Sequence, residues 1–204
     1  KVSQWGQVMG PDVGIKACLE SLLPVIKAMR TNVPVSSGEK LGVGLSAGYK
    51  NSSTPTMIPE GSTDVTLRLS DDGMIEVVTG GCELGQGLED ALSRITAQAL
   101  DFPQALDLLV PRIQIIPGST DHTTSRMLTS ASQQVFLTGG AILRAAVKFK
   151  KQLFQSAARV LQKPLGALEL KPDGVGENNG VFISLENLAQ KCVRSGQLPT
   201  VHEI

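Results

Sequence analysis

Met74-Ile75-Glu76-Val77-Val78-Thr79-Gly80-Gly81-Cys82-Glu83-Leu84-Gly85-Gln86-Gly87 is an apolar strand that runs into a glycine cluster. The chain continues through Leu88, Ala91, Leu92, Ile95 and Ala99, an apolar stripe of helical period. Strand, glycine turn and helix start together are the layout of an anion-binding site. Glycines let a ligand approach the backbone, and the first amides of a helix are unpaired donors at its positive end. Gln86 stands at that helix start with an uncharged side chain that both donates and accepts. Glycine-rich strand-to-helix turns also occur without any ligand, so the surrounding sequence decides.

Just upstream, Asp64 to Ser70 alternates, with Val65, Leu67 and Leu69 on one face. Asp72-Gly73 then supplies a turn, which predicts a β-hairpin with Met74 to Val78 as the return strand. Downstream, Arg112 to Ile116 reads as a buried strand. Gln133 to Gln162 is the longest helical pattern. Its apolar stripe is Val135, Phe136, Ile142, Leu143, Ala146, Phe149, Leu153, Phe154, Ala157 and Leu161. Lys148, Lys150, Lys151 and Arg159 read as its solvated face. A second hairpin, Leu168 to Leu170 with Val181 to Ile183, leads into a short helix capped by Ser184.

Toward the start, Asp12 is placed to cap a helix through about Arg30, which Pro24 should kink or split. Thr31 to Lys40 reads as a linker. Leu41 to Tyr49 reads as a strand that another backbone or a ligand approaches closely. Asn51 to Gly61 reads as a loop, and Ala105 to Leu109 as a short turn. Antiparallel hairpins mixed with long helices predict an α+β fold of antiparallel and mixed sheets, with long helices packed on one face. The expected division is a helix and linker over residues 1–40 and the main unit over 41–204.

The chain has 204 residues, 41% of them hydrophobic and 19% charged, with a formal net charge of zero. A packed core is expected, and a nucleic-acid binder or membrane-surface protein working by bulk charge is not. No apolar run approaches the roughly 20 residues of a membrane span. Cys18, Cys82 and Cys192 are odd in number and widely spaced. They read as free thiols in a reducing, cytoplasmic setting, with no zinc or iron–sulfur spacing. Cys82 is expected to be a small buried hydrophobe. The chain lacks an initiator Met, and Val201-His202-Glu203-Ile204 resembles a strand cut as it begins. Both suggest a piece of a longer protein.

Gly80-Gly81-Cys82-Glu83-Leu84-Gly85-Gln86-Gly87 resembles the Gly-x-x-Glu-x-Gly-Gln-Gly loop of the molybdenum hydroxylases, the xanthine dehydrogenase and aldehyde oxidase family. Thr129-Ser130-Ala131-Ser132-Gln133-Gln134-Val135-Phe136-Leu137-Thr138-Gly139-Gly140-Ala141 is similar to that family's second cofactor loop and its helix. The resemblance runs from about Lys40 to Ala189. It implies a molybdenum centre carried by a pterin dithiolene and held by backbone amides, Gln and Ser/Thr hydroxyls. Gly85, Gln86 and Gly87 would contact the pterin or the metal's oxo end. Thr129, Ser130, Ala131 and Ser132 would form the second loop, with Ala131 near the metal through its backbone. The tail of the pterin, phosphate or cytosine dinucleotide, is left open.

The resemblance also implies iron–sulfur and flavin centres on other domains or subunits, and an aldehyde or N-heterocycle as substrate. The expected partners are the remaining segments of the hydroxylase, in a homodimer or hetero-oligomer, with no nucleic acid and no membrane. The alternative is a non-catalytic assembly domain that keeps the fold and has lost the cofactor. Residues alone allow simpler readings too. Ser130 and Ser132 could be plain helix caps, and His122 a surface-loop histidine. Glu83 is expected to order its loop by accepting from glycine amides rather than to act as a base.

The family's catalytic glutamate lies in Gly-x-Gly-Glu-Pro far downstream, and its Gly-Gly-x-Phe-Gly loop has no counterpart here. Gly174-Val175-Gly176-Glu177 matches the first motif by letter but lacks the Pro. It is expected to be a hydrophilic hairpin turn with no catalytic role. No catalytic residue is therefore expected within this chain.

Overall fold

The structure, a computed structural model, describes residues 8–32, 34–48, 63–100, 110–119, 128–171 and 173–204, with Val2, Ser3, Gly6, Lys50, Asp121 and His122. The expectations for Asn51 to Gly61 and Ala105 to Leu109 lie outside the described residues. The chain divides into two compact units, Lys1–Asn51 and Ser52–Ile204.

In the first unit, α1 spans Ile15–Asn32. It begins three residues after Asp12, so that carboxylate does not cap it. It runs unbroken across Pro24, and none of its residues is buried. Proline removes a single helical N–H, and 18 residues leave enough bonds on either side to carry the helix through. Residues 41–48 form no strand and are almost all exposed, which corrects the expectation for Leu41 to Tyr49. Gly42, Gly44 and Gly48 give that stretch little side chain to pack and a high entropic cost of ordering.

The second unit is built on the hairpin. β1 (Val65–Leu69) pairs antiparallel with β2 (Ile75–Thr79), Leu67 opposite Val77. Ser70 Oγ accepts from Met74 N at 2.8 Å and closes the turn. After α2 (Leu88–Ala99), β3 (Ile113–Ile116) lies parallel to β2. A final strand that we designate β7 (Thr200–Glu203) pairs antiparallel with β1 on the other side, giving the order β3-β2-β1-β7. β3 is an edge strand in which Ile113 alone is buried. It is less enclosed than its sequence suggests.

The 28-residue helix α3 (Gln134–Leu161) lies with α2 on one face of this sheet. Val65, Leu67, Ile75 and Val77 of the sheet are 0% exposed, as are Ile142, Phe149 and Leu153 of α3. Burial of such side chains contributes about 1.5–3 kcal/mol each. The alternate residues face outward, where Arg68 pairs with Glu76 across the hairpin and Thr66 Oγ1 meets His202 Nδ1 at 3.0 Å.

A second sheet, β4 (Glu169–Lys171), β5 (Gly174–Gly176) and β6 (Phe182–Ser184), is antiparallel throughout. It meets α4 (Leu185–Arg194), whose first turn is capped by Ser184 Oγ accepting from Asn187 N at 3.2 Å, as expected. Gly174-Val175-Gly176 is thus a buried central strand, not a turn. The glycines serve close approach: a Cβ at Gly174 would lie 2.0 Å from the Ile183 carbonyl oxygen. Glycine carries no hydropathy signal, so a buried Gly-x-Gly strand reads as a turn. The α+β layering itself stands as expected.

Lys148 and Arg159 of α3 are not merely solvated: Lys148 Nζ bonds Glu203, and Arg159 bonds Gln197 and Ser156 Oγ. Val135, Phe136 and Leu143, counted in the core stripe, are exposed instead, Phe136 by 79%. With Ile95, Gln98, Ala99, Gly139 and Gly140 they line an open groove of about 490 Å³ between α2 and α3.

Candidate functional site

The carboxyl end of the parallel pair β2/β3 is the candidate position for a site. Ligands of such sheets gather beyond the carboxyl ends of the strands. Residues 80–87 leave the carboxyl end of β2, and Gly118, just past β3, donates to Gly81 O at 3.2 Å.

The first loop is held from within. Glu83 Oε1 accepts from Gly85 N at 2.7 Å and Gly87 N at 3.1 Å, and its Oε2 accepts from Glu89 N at 3.2 Å. The carboxylate therefore occupies the start of α2, as expected of a loop-ordering residue. This corrects the expectation of free amides there: no anion is needed where one is already built in. Gly85 (φ 94°) and Gly87 (φ 76°) take left-handed conformations that favour glycine. Gln86 Nε2 donates to Cys82 O at 2.9 Å, and its Oε1 accepts from Leu84 N. One N–H and one lone pair of that carboxamide remain. Cys82 is exposed, contrary to expectation, because the loop lifts it off β2.

Desolvation pushes the Glu83 carboxyl up, but hydrogen bonds from the amides of Glu89, Gly87, Gly85 and Leu88 together pull it below its ordinary value. A carboxyl lowered in the folded state stabilises the fold above its unfolded pKa. That contribution disappears as pH falls through the folded pKa. Amide exchange at Gly85, Gly87 and Glu89, corrected for its intrinsic pH dependence, should therefore rise on acidification below the ordinary value of 4.5. In Glu83→Gln the same amides should exchange faster at neutral pH and show no such rise. A wild-type profile flat down to pH about 3, well below an unperturbed glutamate, with equal protection in the variant, would remove Glu83 from this role.

The second loop, Leu128 to Gln133, is strained. Ala131 and Ser132 both have φ 55°, a left-handed conformation that non-glycine residues rarely adopt. Ser130 N donates to Leu128 O at 2.9 Å, and Gln133 Nε2 donates to the same oxygen at 3.3 Å. Ala131 is 8% exposed, whereas Ser130 and Ser132 are open. The N-cap of α3 is Gln133, without a side-chain cap bond. The serine hydroxyls are therefore not used as caps.

The two loops meet. Cys82 N donates to Thr129 Oγ1 at 3.0 Å, and Gln134 Nε2 donates to the same oxygen at 2.8 Å. Sequence reasoning missed Gln134, which is 6% exposed. A second glutamine after Gln133 at a helix start carries no signal of a contact that spans two loops. Among the described residues no group of three or more His, Cys, Asp or Glu is placed to hold a metal ion. The donor set is neutral, amides and hydroxyls, with open space beside Gly85 and Gly87.

Glu177 lies at the end of β5, in the other sheet. Lys163 Nζ is 3.0 Å from its carboxylate and Val181 N donates to it at 3.3 Å. The Lys163 side chain, above all, holds its carboxyl below the ordinary range. Glu177→Gln should leave any turnover of the full-length protein within about twofold, since loss of a part-exposed ion pair outside the two loops perturbs little. A fall of several orders of magnitude with metal retained would make it the base. His122 is exposed, as expected of a loop histidine.

Residues 24–203 match the family described as molybdopterin cofactor-binding domain, and the chain belongs to that family. Its relatives are molybdenum-dependent oxidoreductases. It is 28% identical over 137 residues to a nicotinate dehydrogenase subunit of Pseudomonas putida, covering 67% of this chain and 11% of that protein. It is 26% identical over 125 residues to the probable hypoxanthine oxidase XdhD of Escherichia coli, covering 61% and 12%. The fold is that of carbon monoxide dehydrogenase from Oligotropha carboxidovorans, with TM-score 0.54 at 24% identity over 70% of this chain and 18% of that one. The chain thus spans about a tenth of the length of those two curated relatives. Among the described residues no helix is long and apolar enough to cross a membrane.

Proposed function

We propose that this chain supplies two loops of the molybdopterin site of a larger molybdenum hydroxylase. Gly85, Gln86 and Gly87 face the pterin or the metal's oxo end. Thr129, Ser130, Ala131 and Ser132 form the opposing wall, with the Ala131 backbone nearest the metal. When bound, the molybdenum cofactor supplies hydroxylation of an aldehyde or N-heterocycle carbon with oxygen taken from water, the electrons leaving to iron–sulfur and flavin centres elsewhere. The pterin ring asks for many neutral hydrogen bonds, and its anionic tail, phosphate or cytosine dinucleotide, accepts from amide and hydroxyl donors. The residues present fit that demand, with open space beside Gly85 and Gly87, a half-used Gln86 carboxamide and serine hydroxyls not spent on capping.

The observation that carries this reading is the contact of the two loops through Cys82 and Thr129, beside two consecutive strained residues, Ala131 and Ser132. Strain persists where surrounding structure holds it, and it gathers at binding sites. The base, the other cofactor loops and the cover for the apolar groove around Phe136 are assigned to the rest of the enzyme or its partner subunits. A groove of this kind is usual at interfaces. Residues 41–204 are taken as the cofactor-binding part.

Gln86→Ala tests the reading. In the full-length enzyme it should reduce molybdenum occupancy or turnover about tenfold, the scale of one to two lost hydrogen bonds, while the thermal midpoint stays near the wild-type value. Unchanged metal and turnover would remove Gln86 from the site.

A further inference from the structure

A buried chain of hydroxyls and one carboxamide leads to the site. Thr63 Oγ1 lies 3.2 Å from Thr138 Oγ1, and Thr138 Oγ1 donates to Gln134 Oε1 at 3.0 Å. Gln134 Nε2 donates to Thr129 Oγ1 at 2.8 Å, where Cys82 N also donates at 3.0 Å. Thr138 is 0% exposed and Thr63 8%. Gly81 makes room for the carboxamide: a Cβ there would lie 3.1 Å from Gln134 Oε1 and 2.9 Å from Leu88 Cδ2.

The polarity of this chain follows from counting. A hydroxyl has one proton and two lone pairs. The Thr138 proton goes to Gln134, so in the Thr63–Thr138 contact Thr63 is the donor. Both lone pairs of Thr129 are filled, by Gln134 and by the Cys82 amide. Thr129 is left with its proton, and that proton has no acceptor among the described residues. The half-exposed hydroxyl therefore presents a donor, and only a donor, to the space between the loops. The carboxamide is the one member that could reverse the polarity. Turned over, it would take the Thr129 proton for itself.

We propose that Gln134 is a positioning residue that holds Thr129 as a hydrogen-bond donor to an acceptor atom of the pterin cofactor. This rests on the molybdopterin reading above. Its ligand chemistry is narrow: the atom facing Thr129 is a ring nitrogen, a carbonyl or phosphate oxygen, or a sulfur, and never an N–H. Gln134 itself touches no ligand and acts through Thr129.

The test is a double-mutant cycle in the full-length enzyme, with Thr129→Val, Gln134→Met and the pair together, and Thr129→Ser as the conservative variant. Two quantities are read: the rate at which molybdopterin is released, and hydrogen exchange at the Cys82 amide. Each single variant should speed release about tenfold, the loss of about one hydrogen bond, and the pair should be no faster than either. Thr129→Ser should retain the cofactor. Exchange at Cys82 should quicken in Thr129→Val and in Gln134→Met. Additive effects of the pair would overturn action through Thr129. A Thr129→Val enzyme that keeps its cofactor would overturn the donor role, even if Gln134→Met fails to fold. If the wild-type enzyme holds no pterin, the molybdopterin reading fails and this proposal with it. If the wild type holds pterin and the cycle is additive, this proposal alone fails.

Discussion

Phe149→Ala is expected to destabilise the second unit by about 3–5 kcal/mol, the usual cost of emptying a buried aromatic site. Phe149 is 0% exposed and belongs to the same buried cluster as Leu67, Val77, Leu153, Leu188 and Val201. That cluster joins α3 to both sheets, so no single neighbour can relax into the space. Domains of this size have about 5–15 kcal/mol of stability in total, and each kcal/mol moves the midpoint by about 2–4 °C. Thermal unfolding of the full-length protein should therefore show the transition that contains this unit about 6–20 °C lower. Phe149→Leu should cost less than half as much. A midpoint within 2–3 °C of wild type, under about 1 kcal/mol, would mean that α3 does not organise the core.

Ala131→Val is expected to empty the site without unfolding the protein. Ala131 is held at φ 55° and is 8% exposed. A left-handed residue costs about 1–2 kcal/mol, and a β-branched side chain there is a genuine outlier. The two added methyl groups also overfill a closed space, at about 1–3 kcal/mol. The loop should flip out of its left-handed turn and release the cofactor at least about tenfold faster, since 1.4 kcal/mol is a factor of ten. Ala131→Gly removes the strain and should keep the molybdenum. Valine retaining the metal as well as glycine does would contradict the idea that this backbone conformation shapes the site.

Both variants probe features that differ in how plainly the sequence shows them. The hairpin around Asp72-Gly73, α2 and α3 are legible because period two and period 3.6 are written in side chains that are buried, such as Leu67 and Phe149. The strand read into Leu41 to Tyr49 fails because small apolar residues satisfy a pattern without filling space. β5 is misread in the opposite direction. Gly174 and Gly176 are buried by the approach of neighbouring backbones, which hydropathy cannot report. Phe136 and Leu143 follow the helical stripe of α3 but are exposed, covered by no element among the described residues.

In the site, the glycines and Glu83 could be read locally because their partners lie within six residues. The Thr129–Cys82 bond spans 47 positions and Thr63–Thr138 spans 75, so neither leaves a trace in local sequence. The left-handed pair Ala131-Ser132 is likewise invisible, since neither residue favours that conformation. It is imposed by the structure around it.

These two loops are proposed to hold molybdopterin. The most direct measurement is the molybdenum and pterin content of the full-length enzyme, purified from cells whose cofactor supply is verified on another molybdenum enzyme. The account predicts about one of each per copy of this chain, as expected of a resident cofactor. It also predicts that both fall together in Ala131→Val and remain in Ala131→Gly. A folded, fully assembled enzyme with neither molybdenum nor pterin would contradict it and leave a domain that keeps the fold without the cofactor.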